Sequence, residues 1–328
     1  MLDDFVSIIT PCYNGEIYLE NYFESILQQT YKKIELIFIN DGSQDNTENI
    51  VKKYENKIKE KGYLFTYIYQ KNSGQAAALN KGLKIFNGEY ITWPDADDIL
   101  HKDSIEKRVK FLKENIEFGF VRNSVNIVDF ETGKIIDKFE LNKKNNKENI
   151  FEDLIFEKNI FFAPISYMVR TSIFTKAIQK KNIYESRYGQ NWQLLLPISY
   201  ISKCGYIEET LCDYIVRKNS HSRTNNNSYK EVKLKANGHM DILKNTLESI
   251  GVYEKYESKL YEKYARLLLK EAYKFNDKKE AKIQFEDIKK YGKLRMRDYL
   301  YCYGVQYKIL HKIIEKLKAV RHFKIQKK

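Results

Sequence analysis

Residues 93–98 read WPDADD, which puts three carboxylates, Asp95, Asp97 and Asp98, within four residues of one another, directly after the apolar run Tyr90 to Trp93. Acids this close repel one another unless a positive group joins them. The natural partner is a hard divalent cation, Mn2+ or Mg2+, which takes oxygen ligands and is often held by one or two carboxylates together with phosphate oxygens. The competing reading is a solvated acidic turn in which Asp98 or Asp103 caps a helix. The D-x-D spacing alone is a weak signal; its place at the end of a strand is what favours the metal. Other polar clusters with binding capacity are Pro11 to Asn14, Asp41 to Ser43 and Asn72 to Gln75.

Such clusters act together only if a scaffold gathers them. Apolar runs at Val6 to Thr10, Glu35 to Asn40, Thr66 to Tyr69 and Tyr90 to Trp93 predict strands. Between them, helical spacing is seen over Ile17 to Gln29, from Asp45 or Thr47 to about Lys61, and over Ala76 to Phe86. This alternation implies right-handed βαβ units and a mostly parallel sheet, an α/β fold. Ligands bind such sheets at the carboxyl ends of the strands, where all four polar clusters fall. Farther on, a helix is expected over Asp103 to Asn115 and another near Trp192. Strand-like runs stand at Phe118 to Arg122, Ser124 to Phe130, Ile165 to Val169, Gly205 to Ile207 and Leu211 to Arg217. Lys143 to Asn149 and Asn219 to Ser228 read as polar loops. From Tyr229 on, proline is absent and helical spacing dominates. The expected division is an α/β domain over residues 1–225 and a basic helical region over residues 226–328.

The 328 residues are 43% hydrophobic and 14% aromatic, which suits a folded core without disulfide staples. Cys12, Cys204, Cys212 and Cys302 form no C-x-x-C pair, which argues against a zinc site and suits a reducing cytosol. MLDDFVSIITPC has acids where a signal peptide needs positive charge, and the longest apolar runs fall short of the ~20 residues that span a bilayer. The expectation is a cytoplasmic chain, soluble or peripheral to the membrane. All of the net charge of +13 falls in residues 229–328, which hold 26 Lys and Arg against 13 Asp and Glu. There Leu310, Ile313, Ile314, Leu317 and Val320 form an apolar stripe with basic flanks. Residues 305–328 thus read as an amphipathic helix for an anionic membrane surface, against the competing reading of a helix packed on its own domain. No nucleic-acid partner is expected, since no recognised module accompanies the charge.

Four stretches carry a family likeness: VSIITPCYNGEIYLENYFESILQQTY, ELIFINDGSQDNT, NSGQAAALNKGL and GEYITWPDADD, all within residues 5–98. In order and spacing they resemble the inverting glycosyltransferases of family 2, which have the GT-A fold. A weaker likeness runs from Tyr167 to about His221, and residues 229–328 have none. The resemblance implies a metal-dependent transfer of sugar from a UDP-sugar, with inversion, to a glycan, lipid-linked or other glycoconjugate acceptor, in surface polysaccharide assembly. It implies that Pro11 and Tyr13 hold the base, that Asp41 meets the uracil edge, and that Asn72, Gly74 and Asn80 flank nucleotide and sugar. Asp95 would bind ribose or metal, and Asp97 the metal that bridges the diphosphate. In RKNSHS, Arg217 or Lys218 would clamp phosphate and His221 would be a third metal ligand, against the competing reading of a solvated basic loop.

One departure stands out. Family members have Glu-Asp-Trp at the head of the acceptor-side helix, the Asp being the general base. Here the residues are Gln190, Asn191 and Trp192, and neither amide can take a proton at neutral pH. Either another acid serves, with Asp98 ranked before Glu185 and Glu208; or the acceptor is already ionised, as a phosphate is; or transfer is impaired. Gln190 and Asn191 would then orient the acceptor. The rival functions are a nucleotide-sugar-binding protein without transfer and a nucleotidyltransferase. The second expects a glycine-rich phosphate loop near the N-terminus, where this chain has PCYNG.

Overall fold

Buried apolar runs and amphipathic stretches alternate to build β1 (Leu2–Cys12), α1 (Leu19–Leu27), β2 (Ile34–Asn40), α2 (Thr47–Glu60), β3 (Leu64–Tyr69), α3 (Gln75–Ile85) and β4 (Gly88–Thr92). After these come β5 (Ile99–Leu100), α4 (Ser104–Glu114), β6 (Phe118–Asp129), β7 (Ile135–Phe139), α5 (Phe151–Phe156), β8 (Tyr167–Arg170), α6 (Thr171–Ala177), α7 (Gln190–Ile201) and β9 (Lys203–Val216). The computed structural model describes residues 1–141, 146–217 and 227–307. It divides into two compact units, Met1–Thr224 and Asn225–Lys328.

The first unit is built on one mixed sheet in the order β3-β2-β1-β4-β8-β6-β9-β5, with β7 paired to β6. β3, β2, β1 and β4 are mutually parallel, with Val6 opposite Ile34 and Tyr90, and Glu35 opposite Leu64. β2 lies inside this sheet and every one of its residues is buried, which is why it reads as a continuous apolar run. Its one acid, Glu35, is satisfied by the Ser7 hydroxyl and by the Asn87 backbone N–H at 2.9 Å. β8 and β6 turn the sheet antiparallel, and β9 then runs parallel to β6, so that β9 ends on the same edge as β4.

Some elements differ from expectation. The two apolar runs on either side of Asn123 are one strand, β6, and the two on either side of Glu208 and Glu209 are one strand, β9. A bulge joins the misfits: the pairing jumps from Asn123–Ile207 to Ser124–Thr210. Glu208 and Glu209 bulge out into solvent while Asn123 turns in and donates to Cys212 Sγ at 3.2 Å. A bulge breaks the two-residue period on which the expectation rested. β5 is too short to have a period. A buried arginine fastens α4 to the strand layer: Arg108, fully buried, donates to the carbonyls of Ser104, Ile165 and Tyr167. Burial with no acid partner holds its pKa down at about 10.

The second unit is helical: α8 (Tyr229–Ser249), α9 (Tyr253–Lys274), α10 (Lys278–Tyr291) and α11 (Met296–Gln306). Ser228 caps α8 by accepting from Glu231 N, and Asp277 caps α10 by accepting from Glu280 N at 3.0 Å. α9 packs against the other three through Leu260, Tyr264, Leu268, Leu269, Ala272 and Tyr273. Among the described residues no helix is long and apolar enough to cross a membrane. The amphipathic helix expected over residues 305–328 falls, from residue 308 on, outside the described residues, as do Lys218 and His221.

Candidate active site at the carboxyl edge of the sheet

The loops that follow β1, β2, β3 and β4 all leave the same edge, and polar bonds tie them into one rim. Asn14 N donates to Ser43 Oγ, and Gln44 N donates back to Asn14 Oδ1, both at 2.9 Å. Glu16 N donates to Asp45 Oδ2, and Asn46 N returns a bond to Glu16 Oε2. The first two loops are thus sewn together by reciprocal side-chain-to-backbone bonds. Pro11 is buried in β1, whereas Tyr13, just past its end, stands 41% exposed on the rim.

Asp41 joins the second loop to the third. Its Oδ1 accepts from Gln70 Nε2 at 2.7 Å and Ser73 N at 2.8 Å, and its Oδ2 from Gly74 N at 2.9 Å. The close approach requires Gly42: a Cβ there would lie 2.6 Å from Asn72 N, and its φ is +75°. Gly74 starts α3 at φ +94°, a conformation that side chains resist, and so releases its N–H to Asp41. Asp41 is 4% exposed. Most of its acceptor capacity is spent inside the protein.

After β4 the chain turns sharply at Asp95 to Asp98, and each of these acids meets a different partner. Asp95 Oδ1 accepts from Gln75 Nε2 at 2.5 Å. Asp97 Oδ2 accepts from Arg217 Nη2 at 2.6 Å. Asp98 is fully buried, and its Oδ1 accepts from Ile215 N at 3.0 Å while Oδ2 has no partner. One oxygen from each acid lies within 4.8 Å of the others. Burial, reinforced by Asp97, pushes Asp95 up to about 7. Burial, then Asp97 and Asp95, raises Asp98 well above the carboxylate range. An orphaned buried acceptor beside two more carboxylates calls for a positive charge, and this donor set fits a hard divalent cation.

β9 is fixed to this turn as well as to β6. His101 sits just after β5 with its ring between two acceptors, Nδ1 at 3.0 Å from the Thr210 carbonyl and Nε2 at 2.8 Å from Asp213 Oδ1. The Asp213 bond chiefly raises its pKa. Burial works against ionising Asp213, but His101 and Asn126 outweigh it and hold the carboxyl low.

On the other side of the sheet two amides hold the segment that leads into α7. Asn80 donates to the Ile183 carbonyl at 2.9 Å and accepts from Ile183 N at 2.7 Å. Gln193 does the same for Tyr184, at 2.9 and 2.7 Å. Each amide thereby imitates a neighbouring strand. Asn80 is buried at this clamp, and its Nδ2 lies 3.4 Å from the exposed Glu185. α7 starts at Gln190 after Gly189, and Asn191 Oδ1 accepts from Trp93 Nε1 at 3.2 Å. The indole only donates, which leaves Asn191 Nδ2 facing the Phe162 carbonyl, 3.5 Å away. Glu208 lies in the β9 bulge, about 20 Å of strand before Ile215. Of the expected residues, the structure gathers Asp95, Asp97, Asp98 and Arg217, and places Trp93 against Asn191. Gln193 and Tyr18 were not foreseen, and Gln75, although within the expected cluster Asn72 to Gln75, was given no role of its own.

The family model of glycosyl transferase family 2 matches residues 7–175. A putative teichuronic acid biosynthesis glycosyltransferase, TuaG, of Bacillus subtilis is 32% identical over 230 residues, which are 70% of this chain and 84% of that protein. An uncharacterized glycosyltransferase of Rickettsia typhi is 43% identical over 109 residues, 33% of this chain and 32% of that protein. The matched part of this chain spans about a third of the length of that relative and of several others. Among solved structures, S. aureus TarS 1–349 in complex with UDP-GlcNAc has a TM-score of 0.56 at 15% identity, covering 92% of this chain and 90% of that one. The mannosyltransferase PcManGT from Pyrobaculum calidifontis, in complex with GDP-Man and Mn2+, has a TM-score of 0.51 at 16% identity, covering 94% and 86%. These two likenesses concern the fold.

Proposed function

The chain belongs to glycosyl transferase family 2, and from this we propose that it transfers a sugar from UDP to a glycan, lipid-linked or other glycoconjugate acceptor, with a divalent cation held by Asp95 and Asp97. The observation that carries the reading is the turn Asp95 to Asp98 on the carboxyl edge, where a buried carboxylate oxygen lacks a partner and three acids converge. When bound, Mn2+ or Mg2+ would neutralise the diphosphate as it leaves. Complexes of two proteins of this fold, one with UDP-GlcNAc and one with GDP-Man and Mn2+, support a nucleotide-sugar donor and a divalent ion. The likeness to TuaG, a putative teichuronic acid biosynthesis glycosyltransferase, supports surface polysaccharide assembly as the setting.

The chain's own residues divide the work. Tyr13, exposed on the rim, covers one face of the base beside Pro11. Asp41 shapes the pocket by fixing Ser73 and Gly74, and one remaining lone pair is left for the base edge. Asn72 and Gly74 line the donor by their backbone. Asn80 acts at a distance, through Ile183. Asp98, sealed in the turn and bonded to Ile215, keeps the acidic turn in register; Glu185, exposed beside Asn80, is better placed than Asp98 to receive a proton from an acceptor. Gln190 and Asn191 orient that acceptor without titrating. A nucleotide-sugar-binding role without transfer is favoured by this same pair of amides. The basic sequence beyond residue 307 suits attachment to an anionic membrane from the cytoplasmic side, where lipid-linked acceptors reside.

The test is UDP binding with and without Mn2+. Asp97→Ala should keep its fold, seen as an unchanged far-UV spectrum, and lose the metal-dependent part of the affinity. Equal metal-dependent affinity in that variant would overturn the assignment. Radiolabelled donor with acceptor mixtures then separates a transferase from a binding protein. Removing residues 308–328 should release the protein from anionic liposomes, and equal binding would dismiss the membrane role.

A further inference from the structure

We infer that Arg217 is an internal counter-ion of the acidic turn, which cation and nucleotide diphosphate together displace, so that it opposes the metal alone and favours the metal–diphosphate pair. The inference rests on the functional reading above and adds a competition to it. Arg217 is the first residue after β9, whose last pair is Asp129 with Val216. Its Nη2 lies 2.6 Å from Asp97 Oδ2, and its guanidinium carbon stands 4.5 Å from the centre of the Tyr18 ring. Among the described residues, no other cation is paired with Asp95, Asp97 or Asp98. Asp95 and Asp98 each have an uncharged partner, Gln75 and the Ile215 amide. The charge of Arg217 therefore does for Asp97 what a divalent cation would do.

This pose is incompletely satisfied. Arg217 Nε is buried without an acceptor, although a guanidinium has five donors to place. An arginine held by one carboxylate oxygen and an aromatic face gains by exchange for a group that accepts two parallel bonds, as phosphate oxygens do. A cation arriving alone must compete with Arg217 for Asp97 and leaves the guanidinium without a partner. A cation arriving with a diphosphate supplies that partner. The two ligands are thus coupled through one side chain, and each raises the affinity of the other.

The opposite signs make the inference testable by titration calorimetry, with Mn2+ alone and then with UDP at saturating Mn2+. Arg217→Gln should bind Mn2+ alone about tenfold more tightly than the wild type, and UDP with Mn2+ at least about tenfold more weakly, each factor corresponding to about 1.4 kcal/mol. Arg217→Lys keeps the charge and loses the fork, so it should match the wild type for Mn2+ alone and fall short for UDP. Thermal melts verify that both variants fold. Unchanged or weaker binding of Mn2+ alone by Arg217→Gln would overturn the counter-ion role while leaving the functional reading intact. Failure of both wild type and variants to bind Mn2+ and UDP would overturn the functional reading, and this inference with it.

Discussion

The proposed donor and acceptor sides of the site are held in different ways. On the donor side, loops close in sequence bind one another through charged groups: Asp41 takes two backbone N–H groups and an amide, and Glu16 and Asp45 exchange bonds between the first two loops. On the proposed acceptor side, the segment before α7 is held chiefly by neutral groups, with one long bond of 3.4 Å from Asn80 to Glu185. Two neutral amides, one on α3 and one on α7 itself, grip consecutive backbone units. Charge-assisted bonds are roughly twice as strong as neutral ones, so the donor rim should be the stiffer half and the acceptor segment the one that adapts.

The largest expected effect follows from Asp41. Asp41→Ala strands two backbone N–H groups and the Gln70 amide, a loss of about 3 kcal/mol, or on the order of 10 °C in Tm by calorimetry. A loss no greater than that of an exposed acid such as Glu48 would break the contrast. Asn80→Ala should cost less, about 2 kcal/mol, because the two bonds that clamp Ile183 are neutral. It should also raise KM for acceptor more than KM for donor, although its α3 side faces the donor loops. Equal changes in both constants would erase the distinction between the two sides.

A third prediction concerns pH. Asp95 and Asp98 have raised folded values, so the stability they contribute is present in full below the unfolded carboxylate range and is lost as pH rises through the folded value, about 7 for Asp95. Asp98→Asn keeps the acceptor for Ile215 N and removes one buried charge. It should raise the Tm of metal-free protein at pH 8 by a few degrees, roughly 2–4 °C for each kcal/mol recovered, and by less at pH 5, where less of the cost has accrued. Mn2+ binding, which needs ionised ligands, should strengthen in the wild type from pH 6 to 8. A flat Tm difference between wild type and variant across this range would deny the burial argument. The smallest effect belongs to Asn191→Ala: a several-fold weaker use of acceptor with an unmoved pH–rate profile. A shifted profile would contradict a purely orienting role.

The same contrast explains what was legible in the sequence. β1 to β4 and their loops lie in contiguous stretches, and β2 and the second half of β1 read as apolar runs because both their faces are covered, whereas edge strand β3 alternates in exposure. The acidic turn could be read from three acids within four residues. The acceptor side depends on pairs such as Asn80 with Ile183 and Trp93 with Asn191, about a hundred positions apart, which no local pattern announces. The bulge at Glu208 divided one strand into two apparent ones. Tellingly, the family match spans residues 7–175 and stops before both α7 and β9. Asn191 itself was visible as a departure, but its fitness was not: with Trp93 donating to one end, its other end faces the Phe162 carbonyl, which an amide tolerates and a carboxylate would repel.

The end of β9 meets the acidic turn twice, Ile215 N on Asp98 and Arg217, just past the strand, on Asp97, so two adjacent residues of the turn grip two alternate residues at the strand's end. Turn and strand end thereby close a covalent and hydrogen-bonded ring through β5 and β6. In a ring, cutting one link loosens the next, and the energies of the cuts do not add. Substitutions at Asp97, Asp98 and Arg217 should behave as one unit in double-mutant cycles, the pair costing far less than the sum of its singles. A scan that ranks these residues one at a time would count the same stabilisation more than once.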